Sequence, residues 1–260
     1  MIVIDRLCYN SGLRYVNAME KFVFSMLTLL LCVSSRSIIA AILVLLVTGT
    51  LTVEKGGIPL LCYLKLITIP LVFLFLSISA VLINISRTPL DAFAIPFGSF
   101  YLTGSVQGLL WGVQLISTAL ASVSCLYFLS LSTPVADILG VLKKLHVPGL
   151  ITELMLLIYR YIFITLRTAS AILISQSSRL GNKSLHTARK SFVAMASSVF
   201  VLSVRQAGAQ YDAMEARCYN GRIQILSEEH PAKYSEIFCI AGFEVFLFVL
   251  IVILKYKSSI

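Results

Sequence analysis

The stretch 16–53, VNAMEKFVFSMLTLLLCVSSRSIIAAILVLLVTGTLTV, decides the fold class. Two apolar runs, 16–35 and 37–53, are parted only by the polar tip Ser34-Ser35-Arg36-Ser37. A helix rises about 1.5 Å per residue, so roughly 20 apolar residues cross the hydrocarbon of a bilayer. Two such runs back to back predict a tight transmembrane hairpin. The apolar residues show no two-residue alternation, which argues against the strands of an outer-membrane barrel. Asp5, Arg6, Arg14, Glu20 and Lys21 precede or open the first run, which continues through Leu31 and Cys32 without a small-residue cleavage pattern. It is therefore expected to be a first span and not a removed signal peptide.

Outward from that hairpin the pattern repeats. Further spans are expected at about 63–85, 104–130 and 236–254, with an external loop over 86–103 that carries Pro89, Pro96 and Gly98. The composition agrees: of 260 residues, 58% are hydrophobic and 13% charged, and the mean hydropathy is +0.92. Soluble domains hold about 45–50% apolar and about 25% charged residues. The fold class is thus an all-α integral membrane protein.

Charge sets the expected orientation. The formal net charge is +9, and twelve of the 21 Lys and Arg residues fall in 131–234. Positive residues concentrate on the cytoplasmic side of membrane proteins, so this basic balance points to topology and lipid, with no nucleic-acid partner implied. Five spans with the N-terminus inside place seventeen positives on the inner side and four on the outer. The chain then divides into a membrane bundle over 1–130, a cytoplasmic module over 131–234, and a last transmembrane helix over 235–260. Two apolar stretches of the module, 150–166 and 191–204, leave a seven-span alternative open. The first holds Glu153 and Arg160, which are costly at a bilayer centre, and the second is short and rich in serine.

Within the module, Thr133-Pro134 reads as a helix start, and Val135, Ile138, Leu139, Leu142 and Leu145 share one face of a short amphipathic helix stopped before Pro148. A second helix is expected from about Gly149 to Leu180, ending at Gly181, and a third from about Thr187 to Asn220, ending at Gly221. Both carry small residues that favour close helix crossing. Arg179 stands near the end of the second and Arg217 near the end of the third. A cation there complements the helix dipole. Two such arginines on two long helices also suggest docking points, since guanidinium forks pair bidentately with carboxylates.

Chemistry within the chain is sparsely signalled. Gly181-Asn182-Lys183-Ser184 matches only the tail of a nucleotide-binding loop, without the strand-to-helix context that motif needs. Six cysteines, 8, 32, 62, 125, 218 and 239, form no CxxC pair and read as small buried hydrophobes. His146, His186 and His230 are dispersed in expected loops. No metal site, cofactor or catalytic constellation is predicted.

These residues resemble one family, the transmembrane (T) component of energy-coupling factor transporters, of the cobalt/nickel type called CbiQ. AMEARCYNGR, 213–222, is similar to the family's second Ala-Arg-Gly signature, and SQSSRLG, 175–181, to the first. LSTPVADILGVLKKLHVP (131–148), ELMLLIYRYI (153–162) and the opening IDRLCYNSGL (4–13) followed by Glu20-Lys21 support it. Two departures stand out: Cys218 replaces the usual Gly, and Asn17 and Ala18 replace common prolines. The resemblance implies a non-catalytic scaffold. It would join two ATP-binding subunits to a substrate-capturing membrane subunit for cobalt or nickel, with a small accessory membrane subunit as a further partner. ATP would bind on the ATPases and not on this chain. The resemblance also implies that Arg179 and Arg217 dock on the ATPases, with Ser178, Leu180, Ala216 and Cys218 beside them. Alternatives are a shared T component serving vitamin capture, a lipid-modifying membrane enzyme, and a self-sufficient secondary carrier.

Overall fold

The computed structural model describes residues 7–35, 37–82, 84–86, 93–97, 100–104, 106–221, 223, 231 and 233–259. Eight α-helices form among them: α1 (Ala18–Ser35), α2 (Ile38–Thr50), α3 (Leu60–Leu82), α4 (Val106–Ser132), α5 (Val135–Lys144), α6 (Gly149–Ser178), α7 (Leu185–Glu215) and α8 (Tyr234–Ser259). Seven stretches are long and apolar enough to cross a membrane: α1, α2 with its extension to Lys55, α3, α4, α6, α7 and α8. Apart from one small sheet, the chain is a multi-pass, all-α membrane protein. It divides into two compact units, one of Leu139–Glu228 and one of Ile2–Ile138 with Glu229–Ile260.

The second unit holds the core. Cys32 of α1, Ala40, Ala41 and Val44 of α2, Ala121 and Cys125 of α4, and Leu247 and Ile251 of α8 form one buried cluster. Small residues at these crossings let the backbones approach, which is how helices associate where lipid offers no hydrophobic incentive. Phe24 fills the next layer, its ring 5.4 Å from Phe128 and 5.8 Å from Phe243.

Polar side chains link these helices inside the apolar layer. Ser25 donates to the Cys125 carbonyl. Thr48 Oγ1 donates to the Val44 carbonyl at 2.8 Å, which leaves it an acceptor for Ser124 Oγ at 2.5 Å; Ser124 in turn accepts from Tyr63 OH at 2.7 Å. One proton per hydroxyl thus satisfies a relay across α2, α4 and α3. Pro70 sits inside α3 and has no N–H to offer the Leu66 carbonyl four residues earlier. The Tyr127 hydroxyl of α4 donates to that carbonyl at 3.2 Å. This is the repair a proline in a membrane helix requires.

The opening segment is tied into the same unit. Asn17 Oδ1 accepts from the Met19 amide at 2.9 Å, so the departure from proline supplies an N-cap for α1. Lys21, only 3% exposed, donates to the carbonyls of Leu13 and Ser132. Its ammonium therefore caps the C-terminus of α4 with a favourable charge. A Cβ on Gly12 would lie 2.8 Å from the Lys55 carbonyl, so a larger residue would push these two segments apart.

Several expectations need correction. The stretch expected as an external loop, together with the end of the span expected before it, holds a three-stranded antiparallel sheet: β1 (Asn84–Ser86), β2 (Phe93–Phe97) and β3 (Phe100–Gly104), in the order β1-β3-β2. Pro96 lies on the edge strand β2, where a missing donor is tolerated. On α5 the buried residues are Leu139 and Val141, while Val135 and Leu145 of the expected face are exposed. Cys218 and Cys239 are exposed, unlike the other four cysteines. His186 lies in the first turn of α7 and not in a loop, whereas His230, Arg36 and Arg222 fall outside the described residues.

In the first unit α6 and α7 form an antiparallel hairpin, at 30 and 31 residues each on the order of 45 Å long. Gln176 Nε2 donates to the Ser191 carbonyl at 2.9 Å, and Tyr161 OH donates to Gln210 Oε1 at 2.7 Å. Ser191 Oγ donates back to the Gly181 carbonyl at 3.0 Å. A Cβ on Gly181 would stand 2.7 Å from that hydroxyl. Glycine there serves the close approach of α7.

Candidate functional site

The two arginines of interest stand at helix ends that match bond for bond. After α6 the amides of Arg179, Leu180 and Gly181 donate to the carbonyls of Gln176, Ser177 and Gln176, at 3.2, 3.0 and 2.8 Å. After α7 the amides of Arg217, Cys218 and Tyr219 donate to those of Met214, Glu215 and Met214, at 3.0, 2.9 and 3.0 Å. This is the Schellman stop, in which the residue after the cap takes a left-handed conformation. Leu180 has φ 59° and Cys218 has φ 57°. The third helix accordingly stops short of the expected Asn220. The stopping residues are Leu180 and Cys218, not Gly181 and Gly221.

Cys218 thus adopts the left-handed conformation for which glycine is best suited. A left-handed non-glycine residue costs roughly 1–2 kcal/mol, which both ends bear. The same stop terminates α5, with His146 at φ 62° and no arginine. The cap is a general device of this chain, and the arginine marks the two long helices. Ser178, Arg179, Leu180, Ala216, Arg217 and Cys218 are all exposed. Ser178 Oγ donates to the Ile174 carbonyl, so it is spent within α6.

Tyr219 and Glu153, which lie in the recognisable stretches but are not among the expected docking residues, complete the second end. Tyr219 OH donates to Glu153 Oε2 at 2.9 Å, which ties the last turn of the hairpin to the start of α6. That hydrogen bond to a carboxylate holds the Tyr219 phenol above its usual range. Met214, Arg217, Tyr219 and, from α6, Leu157 and Arg160 line an open recess of about 500 Å³. Two guanidinium groups and an apolar floor suit an acidic side chain flanked by apolar neighbours. Among the described residues, no group of three or more His, Cys, Asp or Glu is placed to hold a metal ion.

The family model for the cobalt transport protein CbiQ matches residues 10–226. An uncharacterised protein of Methanocaldococcus jannaschii is 28% identical across 97% of this chain and 94% of its own length. A putative fused cobalt transport protein, CbiMQ, of Methanocorpusculum labreanum is 30% identical over 96% of this chain and 41% of its own. The cobalt transport protein CbiQ of Salmonella typhimurium is 26% identical over 85% of this chain and 98% of its own. The matched region runs from the opening segment through both arginine ends, and the chain belongs to the CbiQ cobalt transport protein family.

Proposed function

We propose that this chain is the non-catalytic membrane scaffold of an ATP-driven importer for cobalt, or for the chemically similar nickel ion. In this reading two ATPase subunits bind Arg179 and Arg217 from below, and a substrate-capturing membrane subunit lies alongside. ATP-driven movement of the ATPases is passed along α6 and α7. The observation that carries the reading is the pair of exposed arginines held in equivalent Schellman stops at the ends of two long helices. An equivalent frame on each helix suits two similar acidic grooves on a paired partner. The names borne by the relatives supply the metal.

In the same reading the N-terminus and residues 131–234 lie in the cytoplasm, which the distribution of Lys and Arg supports. Helices α6 and α7 have none of their apolar window residues buried within the chain, so lipid or partner surface must cover them. Of the two, a position under the bilayer keeps Glu153, Arg160 and Arg167 hydrated.

Two experiments test the proposal. Co-purification of the tagged chain in mild detergent should retain two ATPases and a second membrane subunit. Arg179→Ala and Arg217→Ala should each weaken ATPase capture by about 2 kcal/mol, as expected for a buried interface arginine, and the double variant should lose it. Wild-type capture by the double variant would overturn the docking role. For topology, an Asn182→Cys label should react only from the cytoplasmic face. Reaction from outside would establish α6 and α7 as two further spans.

A further inference from the structure

Glu244 poses a problem that the scaffold reading does not address. It lies one residue from the centre of the apolar window Tyr234–Tyr256 of α8 and is 9% exposed. Its Oε1 stands 2.7 Å from Thr28 Oγ1 of α1, and its Oε2 is buried with no hydrogen-bond partner among the described residues. No salt bridge reaches it among the described residues.

The protons can be counted. Thr28 Oγ1 also lies 2.6 Å from the Phe24 carbonyl oxygen, and Thr28 is fully buried. Three oxygens therefore stand in line at two short separations, and each separation needs a proton between its oxygens. A carbonyl has none to give, and a threonine hydroxyl has one. If that proton goes to Phe24, the contact with Glu244 has no donor unless the carboxyl supplies it. If it goes to Glu244, two unprotonated oxygens face each other at 2.6 Å. A single shared proton would lengthen both contacts. The geometry closes only with a proton on Glu244.

Energetics point the same way. A neutral acid donating to Thr28 leaves only one carbonyl oxygen unpaired, the penalty of a single neutral acceptor. A carboxylate at that depth would leave a full charge with no counter-ion among the described residues, a far larger penalty than one unpaired neutral acceptor. The titratable group that faces it, Cys125 of α4, is a buried thiol and offers no positive charge.

We propose that Glu244 is held as the neutral carboxylic acid near the bilayer centre and donates to Thr28 Oγ1, so that a bound proton fastens α8 to α1. This Thr28–Glu244 clasp lies beyond the aromatic contact of Phe24 with Phe243. It gives the C-terminal helix a directional attachment, whereas much of its surface, including Phe246, Phe248 and Ile253, is exposed.

The test is infrared spectroscopy of the full chain in phosphatidylcholine nanodiscs at pH 7.5. The difference between wild type and Glu244→Gln should contain the carbonyl stretch of a protonated carboxylic acid, and that band should shift in deuterium oxide. Glu20→Gln serves as a control, since Glu20 is also buried with neither carboxyl oxygen partnered among the described residues. Thr28→Ala should move the Glu244 band to the position of an acid with a weaker hydrogen bond, a readout available even where Glu244→Gln fails to fold. In thermal unfolding, Glu244→Gln, whose amide still donates, should keep the wild-type midpoint, while Glu244→Leu should lower it. Loss of a carboxylate stretch in Glu244→Gln, or a band indifferent to Thr28→Ala, would overturn the proposal.

Discussion

Proline at position 70 makes a quantitative demand on Tyr127. Within α3 the Leu66 carbonyl lacks its usual helical donor, and the Tyr127 hydroxyl supplies one at 3.2 Å. Tyr127→Phe removes that donor and leaves the carbonyl exposed to an apolar environment. Interhelical hydrogen bonds in membranes contribute about 0.6 kcal/mol on average and roughly 1.7 at most. The distance is at the long end of good geometry, but the alternative donor is absent, so about 1 kcal/mol is expected, a factor of about five in the unfolding constant. Pro70→Ala restores an N–H aimed at Leu66, and in that background Tyr127→Phe should cost only a few tenths of a kcal/mol. The double-mutant cycle should thus show a coupling of about 1 kcal/mol. The assay is reversible unfolding of the chain in bicelles, followed by fluorescence of Trp111 in α4. An equal cost of Tyr127→Phe with and without Pro70→Ala would refute the view that the tyrosine answers the proline.

Two further outcomes concern the second arginine end. Cys218→Gly should leave ATPase capture unchanged, because the left-handed stop is already formed, whereas Cys218→Val should open it. Hydrogen exchange at the Cys218 and Tyr219 amides, which now donate to Glu215 and Met214, reads this directly; equal protection in the valine variant would contradict it. Tyr219 should ionise at lower pH in Glu153→Gln than in wild type, by ultraviolet titration. The sign follows from the bond: the phenol is raised because its proton is held by Glu153. The tie is therefore present at neutral pH and lost as pH rises through the folded phenol's value. Unchanged titration in the variant would remove Glu153 as the cause.

The apolar spacing that makes 16–53 a hairpin also yields α1 and the extended α2 within two residues, because span length is fixed by hydrocarbon thickness and by nothing subtler. Arg179 and Arg217 were legible for a similar reason, as cations beside helix stops within recognisable stretches. The exact stops were not legible, since Gly181 and Gly221 are better candidates on propensity than Leu180 and Cys218. Tertiary contact decides at least the first, because Ser191 needs the space that Gly181 leaves. The segment 93–104, FAIPFGSFYLTG, contained aromatic and branched residues suited to strands, but its Pro and Gly read as loop. Thr28 with Glu244, and Glu153 with Tyr219, lie 216 and 66 residues apart. Such pairs depend on which helices become neighbours, and no local period encodes that.

The two units differ in how they are held, and the difference bears on the proposed role. Residues 2–138 with 229–260 are joined by side-chain bonds that cross between helices, from Ser25 to Cys125, through Thr48, Ser124 and Tyr63, and from Tyr127 to Leu66. Within an apolar medium these bonds have no water to exchange with, so the bundle resists local opening. The α6–α7 hairpin has a different constitution: Thr152 is the one buried side chain of α6 among the described residues, and α7 has none. Its cross-links, Gln176 to Ser191, Tyr161 to Gln210 and Tyr219 to Glu153, run along its length. Such cross-links keep the two helices in one register. Force applied at Arg179 or Arg217 would then act on the hairpin as a body before it strained either helix, which is the property a coupling element requires.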